Sequence, residues 1–263
     1  MRWRKIPYIS FAALLLCGCS AYTQATTGQN WLAGYGTARP ALSASPDDID
    51  ARVRQAGAIE PTLHFPARIG IARIGQDRWQ GQLIAVPEPE AAAWVAARDR
   101  LGPGFGEFVP VSPLVAAMME PDIKAGPNDR TAAVRHLVDT IRLAAARQHL
   151  DAVLIYEVDA TTDQKSNPLR FADWTVIGAF IVPSRDVKAV GVAQAMLIDV
   201  RNGYPYGQVT SSVDDKALTA AFYSDEAKDA LSKKVEDAAV IKLTGESEGM
   251  MRKLKAELEA RHG

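Results

Sequence analysis

Cysteine is nearly absent from this 263-residue chain: the two present, Cys17 and Cys19, stand two residues apart near the amino terminus. A disulfide framework, a cysteine-built zinc site and a thiol nucleophile in the body are thereby excluded. Histidine is almost as scarce. His64, His136, His149 and His262 are scattered, and none pairs with another histidine or with acids at ligand spacing, so they read as solvated or capping side chains. Charge of one sign is lacking too: 30 basic residues stand against 31 acidic ones, a formal −1. With no basic stripe, nucleic acid is not expected as a partner. Aromatic residues make up 7%, and the abundance of alanine suits close helix packing. The apolar run at the amino terminus, Ile6 to Leu16, is about 11 residues long, against the ~20 a membrane-spanning helix needs.

That run is nonetheless informative. Arg2, Arg4 and Lys5 precede it and small residues follow it, the three parts of an export signal. Leu16-Cys17-Gly18-Cys19 resembles the lipobox of bacterial lipoproteins. The resemblance implies cleavage between Gly18 and Cys19, a covalent lipid on Cys19 and no other cofactor. Ser20 is not the Asp that retains lipoproteins in the inner membrane of enteric bacteria, so the same resemblance implies the outer membrane, periplasmic face. An ordinary secretory signal cleaved elsewhere is the alternative. Acyl chains contribute ~0.8 kcal/mol per buried methylene, so the three chains such lipoproteins carry make attachment effectively permanent. Without residues 1–18 the charge is −4, from 27 basic and 31 acidic residues.

Residues 19–60 carry Thr, Gly, Ser, Pro and Gln with little periodicity and read as a flexible tether, with a short helix after Ser45-Pro46-Asp47-Asp48. Tyr22, Trp31, Leu32 and Tyr35 interrupt it, either docked on the body or lying in the headgroup layer. A folded domain over 61–244 follows. Arg68 to Ile74 alternates as a strand does, and Pro87 to Leu101 has acids early and Arg98 and Arg100 late, as a helix does. Phe108 to Ser112 reads as a second strand. Asn128 to His149 is a helix with Val134, Leu137, Val138, Ile141 and Ala145 on one face, and Ala152 to Val158 is a third strand. Trp174 to Val182 is apolar throughout, as a strand buried on both faces is. Ala189 to Val200 and Pro205 to Val213 pair across Asn202-Gly203, a primed-turn signal. A last helix from Ser224 uses Ala227, Leu231, Val235 and Ala238 inward, until Gly245 and Gly249 interrupt it and a tail, 245–263, remains. The order is β-α-β-α-β-β-β-β-α, an α+β fold: a single mixed-sheet sandwich domain with helices packed on it.

Asp173 to Val182 and Ala193 to Val200, with Arg68-Ile69-Gly70-Ile71-Ala72 before them, resemble the core of the rhombotarget lipoproteins over roughly residues 65 to 215. The carboxyl-terminal sorting tail of that family has no counterpart in Lys255 to Gly263, so rhomboid-type processing is not implied. More distantly, the element order is similar to envelope lipoproteins of CsgG, LpoB and TolB amino-terminal type, with Asp199 to Gly203 as the Asp-x-x-x-Gly strand end. Such domains bind partner proteins, assemble secretion pores or activate envelope enzymes.

Reactive constellations are weak. Glu157, Asp159 and Asp163 offer three carboxylates near a strand end, read as solvated rather than cation-binding. Gly102-Pro103-Gly104-Phe105-Gly106 precedes a strand and lacks the Lys-Ser/Thr ending of a phosphate loop, so it reads as a turn. Ser166, Ser184, Ser211 and Ser212 have no Gly-x-Ser-x-Gly setting. Catalytic and metal sites are therefore expected to be absent. Tyr204 and Tyr206 flank the turn on an edge read as open, Pro205 to Val213, and are the candidate partner-binding residues, with core packing as the alternative. The expected function is a membrane-anchored, non-catalytic envelope lipoprotein whose sheet domain binds an envelope protein. The alternative is a CsgG-like oligomeric pore subunit, with Trp174 to Val182 and Ala189 to Val200 as the strands long enough for a barrel.

Overall fold

Ile69 and Ile71 on one side of a strand and Ala72 and Ile74 on the other are all at most 2% exposed, which only a strand covered on both faces allows. In the computed structural model this is β2 (Ala67–Asp77). The structure describes residues 21–34, 49–77, 80–119, 130–161, 189–214 and 225–262. Their elements are β1 (Ala21–Thr23), α1 (Gly28–Gly34), α2 (Ile49–Gly57), β2, β3 (Gln80–Ile84), α3 (Glu88–Leu101), β4 (Gly106–Pro110), α4 (Pro113–Met118), α5 (Arg130–Arg147), β5 (Ala152–Thr161), β6 (Val190–Asp199), β7 (Pro205–Asp214) and α6 (Asp225–His262). One mixed sheet runs β1-β7-β6-β5-β2-β3. β2 is parallel to β5, and its outer edge is shared: Ala67–Ile71 pairs with β4 in parallel, and Arg73–Asp77 with β3 antiparallel.

Helices cover both faces. On one, Trp94 and Leu101 of α3 and Leu243, Met250, Met251, Leu254 and Leu258 of α6 pack on Ile69, Leu154, Leu197 and Val209. On the other, Ala116 of α4 and Ile141, Ala144 and Ala145 of α5 pack on Ala72, Ile74, Val153 and Ile155. The expected α+β fold with helices against one mixed sheet is the fold observed.

Several boundaries differ, each for a physical reason. β3 and the six-residue α4 went unread because they are short, although Ser112-Pro113 is a helix start and the Ser112 hydroxyl accepts from the Val115 N–H at 3.3 Å. Gly245 and Gly249 do not interrupt α6, so no separate tail begins at 245. A glycine costs a helix about 1 kcal/mol, whereas each buried Leu or Met flanking them contributes roughly 1.5–3 kcal/mol. Burial decides. The Asn202-Gly203 connection is not the expected primed turn: only Gly203 has positive φ (76°), and the ladder shifts register at Leu197/Ile198, a bulged hairpin. Gly102 to Gly106 is a turn ahead of a strand, as expected. There Gly106, at φ 92°, lies so close to Ala67 that a Cβ would fall 2.0 Å from its carbonyl oxygen.

Parts of the expected tether belong to the body. Ala21, Tyr22 and Thr23 pair antiparallel with Val209, Gln208 and Gly207, so β1 covers that stretch of the edge expected to be open. The Trp31 ring of α1 lies on Gly57 of α2. The segment Trp174 to Val182 and residues Tyr35 and Asp163 lie outside the described residues.

Candidate functional site

Asp199 ends β6 with no exposure at all, so its carboxylate needs donors from the chain itself. Its Oδ2 accepts from the Tyr206 hydroxyl and the Thr62 hydroxyl, both at 2.6 Å. Its Oδ1 accepts from the Arg201 N–H at 2.8 Å and the Asn202 N–H at 3.4 Å. The Tyr206 oxygen in turn accepts from the N–H groups of Thr62 and Leu63 at 2.9 and 2.7 Å. Burial, then the hydrogen bond to Asp199, push the Tyr206 phenol well above its usual range. Beside it, Tyr204 donates to the Thr26 carbonyl at 2.8 Å, and burial pushes its pKa up to about 12. Asn202 Nδ2 donates to the Glu60 carbonyl at 2.6 Å. The hairpin end is thus a clamp on the segments around residues 26 and 60–63.

This corrects the reading of Tyr204 and Tyr206 as partner-binding. They are 6% and 0% exposed, with ring centroids 5.1 Å apart. Turn-flanking tyrosines reach a surface only if nothing packs over the turn, and here the amino-terminal segments do. Gly18 and Cys19 lie outside the described residues, Cys19 two residues before the sheet begins at Ala21.

A second buried polar cluster, unread in the sequence, joins α3 to the sheet. Arg73 points to the same face of β2 as Ile69 and Ile71 and is 7% exposed. Its Nε donates to Glu90 Oε2 at 3.0 Å, and Nη1 donates to the Ile74 carbonyl. Tyr156 of β5 donates to the same carboxylate oxygen at 2.6 Å, under the Arg73 guanidinium, which lies 5.5 Å from the ring centroid. Burial first, then the Glu90 charge, push the Tyr156 phenol far above its ordinary value. The signal was present: an arginine at a core-facing alternate position and an acid in the first turn of the next helix. The cluster pairs its own charges and holds α3 to the sheet.

Two of the three carboxylates near the end of β5, Glu157 and Asp159, are among the described residues. The buried Glu157 accepts from Gln194 Nε2, and Asp159 accepts from the Ala160 N–H at 2.9 Å. Among the described residues no group of three His, Cys, Asp or Glu stands together as metal ligands do. His149, at φ 56°, ends α5: the Leu150 N–H donates to the Ala145 carbonyl and the His149 N–H to that of Ala146, a Schellman pattern. An open groove of about 730 Å³ runs between α5 and the hairpin turn, lined by Asp139, Arg142, His149 and Arg201 among others. Its charges are engaged, Arg142 with the Val200 carbonyl and Arg201 with Asp151 at 2.8 Å. β6 pairs on both edges and buries Ala193, Ala195 and Leu197, which makes it an interior strand of the sheet.

The fold and these sites define a class, an α+β domain with one mixed sheet between helices. No family model matches the chain, and no curated protein matches it. Among solved structures it is similar to the PelC dodecamer of Paraburkholderia phytofirmans, at 11% identity and TM-score 0.28, over 66% of this chain and 87% of that one. A point variant of that dodecamer gives 12% and 0.32, over 71% and 91%. The crystal structure of lipoprotein GNA1162 from Neisseria meningitidis gives 15% and 0.27, over 66% and 97%. The likenesses are remote, and the functional reading rests on this chain's own residues.

Proposed function

We propose that the chain is a lipid-anchored envelope lipoprotein, non-catalytic, whose sheet domain binds another protein. One observation carries the reading: a basic start, an apolar run and Leu16-Cys17-Gly18-Cys19 stand in the order of a lipoprotein signal. Among the described residues no helix is long and apolar enough to cross a membrane, so any stable hold of this domain on a membrane through those residues needs another device. Ser20 supports the outer membrane, periplasmic face. For the partner, α4 offers the support that Tyr204 and Tyr206 do not: Leu114 and Met118, four residues apart on one side, are 73% and 75% exposed.

The test is metabolic labelling with an alkyne-bearing fatty acid. The intact chain takes up label and sediments with membranes, and Cys19→Ser does neither. Cross-linking in cells then reads the partner: a discrete complex forms with the native chain and is lost in the Leu114→Glu, Met118→Glu double variant. An unlabelled native chain contradicts the anchor, and an unchanged complex contradicts the α4 surface.

A further inference from the structure

Ser20 alone separates Cys19 from Ala21, the first residue of β1. Two residues span at most about 7 Å even when fully extended. β1 has no slack to give. Its three residues pair with β7, and beyond them the Gln24 N–H donates to the Tyr206 carbonyl at 2.8 Å and Gln24 Nε2 to the Pro205 carbonyl at 2.6 Å. The Thr23 hydroxyl donates to Glu257 of α6 at 2.9 Å. β1 is also the terminal strand of the sheet, and Tyr22 on it is 54% exposed, with uncharged Gln208 opposite. A tyrosine, apolar in the ring and polar at the hydroxyl, is the side chain that settles at a membrane–water interface.

Building on the lipid-anchor reading, we infer that the β1 edge rests directly on the phospholipid surface, with Tyr22 in the headgroup layer and the sheet standing edge-on. The body then has no free reach from its anchor, and its strands step away from the membrane. Neighbouring strands lie about 4.8 Å apart, so β3, five strands on, stands roughly 24 Å farther from the bilayer. The α4 helix, which contacts β3, is carried at that far end.

The experiment uses the lipidated protein in vesicles of phosphatidylethanolamine and phosphatidylglycerol. With Cys19 blocked by its thioether, an introduced cysteine is the single free thiol. Tyr22→Cys, Ala21→Cys and Gln82→Cys (on β3) each receive an environment-sensitive fluorophore, read against lipids with a nitroxide on the headgroup. Quenching is expected at positions 21 and 22 and not at 82. A long Gly/Ser spacer inserted after Ser20 leaves fold and lipid in place and abolishes that difference. Protein that floats with vesicles but is quenched equally at all three sites overturns the orientation while the anchor stands. Protein that carries no lipid and does not float overturns the anchor, and the orientation with it.

Discussion

Replacing Tyr206 with Phe deletes one oxygen and breaks three hydrogen bonds, because that oxygen donates to Asp199 and accepts from Thr62 and Leu63. The Asp199 carboxylate keeps the Thr62 hydroxyl and two backbone donors, so it is weakened rather than stripped. A hydrogen bond to a charged group is worth about 1.5–3 kcal/mol, and an orphaned buried donor costs about 1–3 kcal/mol. Thr62 is half-buried and regains water, while Leu63 is 1% exposed and does not. The expected loss is therefore about 3–4 kcal/mol. Tyr204→Phe removes a single neutral bond, to the Thr26 carbonyl, and is expected to cost only about 1 kcal/mol. Urea unfolding of the Cys19→Ser protein, followed by tryptophan fluorescence, reads both as midpoint shifts at constant slope. A Tyr206→Phe loss no larger than that of Tyr204→Phe would refute the clamp.

Other perturbations reach the remaining polar groups. Arg73→Ala strands the Glu90 carboxylate in the core and is expected to cost about 3–5 kcal/mol, whereas the apolar pair Arg73→Met with Glu90→Leu is expected to lose far less; a double-mutant cycle in urea checks this. Burial first, then Asp159 and Asp237 against the opposing pull of Arg73 and Lys233, raises the Glu236 pKa above its ordinary 4.5. Its contribution is thus fully present below pH 4.5 and is lost as pH rises through the folded value, so Glu236→Gln stabilises at neutral pH and gives no gain in acid, measured as unfolding midpoints across pH. His149 holds a left-handed conformation at the end of α5. Left-handed strain of about 1–2 kcal/mol set against a glycine entropy cost of about 0.5–1 kcal/mol leaves His149→Gly stabilising by up to about 1.5 kcal/mol in thermal unfolding.

Legibility followed the amount of periodic signal. β2, α3, α5, β5, β6 and β7 were readable because their apolar residues recur over ten or more positions or lie in unbroken buried runs such as Ala152 to Val158. β1, β3 and α4 are three, five and six residues long, too short for a period to show, and the equally short β4 was read two residues late, as Phe108 to Ser112. The α6 glycines misled because local propensity is visible in sequence and the long-range burial that outweighs it is not. The tyrosine pair misled for a related reason. Nothing local to Asn202-Gly203 announces that residues from around 26 and 62 pack over it. Arg73 and Glu90 are seventeen residues apart on different elements, and their pairing exists only once α3 lies across β2.

The central claim is that this folded domain is moored by a lipid at its nineteenth residue. Mass spectrometry of the amino-terminal peptide from membrane-purified protein tests it most directly. The account predicts a peptide that begins at Cys19 and carries the mass of a diacylglyceryl thioether with an amide-linked acyl chain. A peptide of unmodified mass, or one beginning at any other residue, would contradict it.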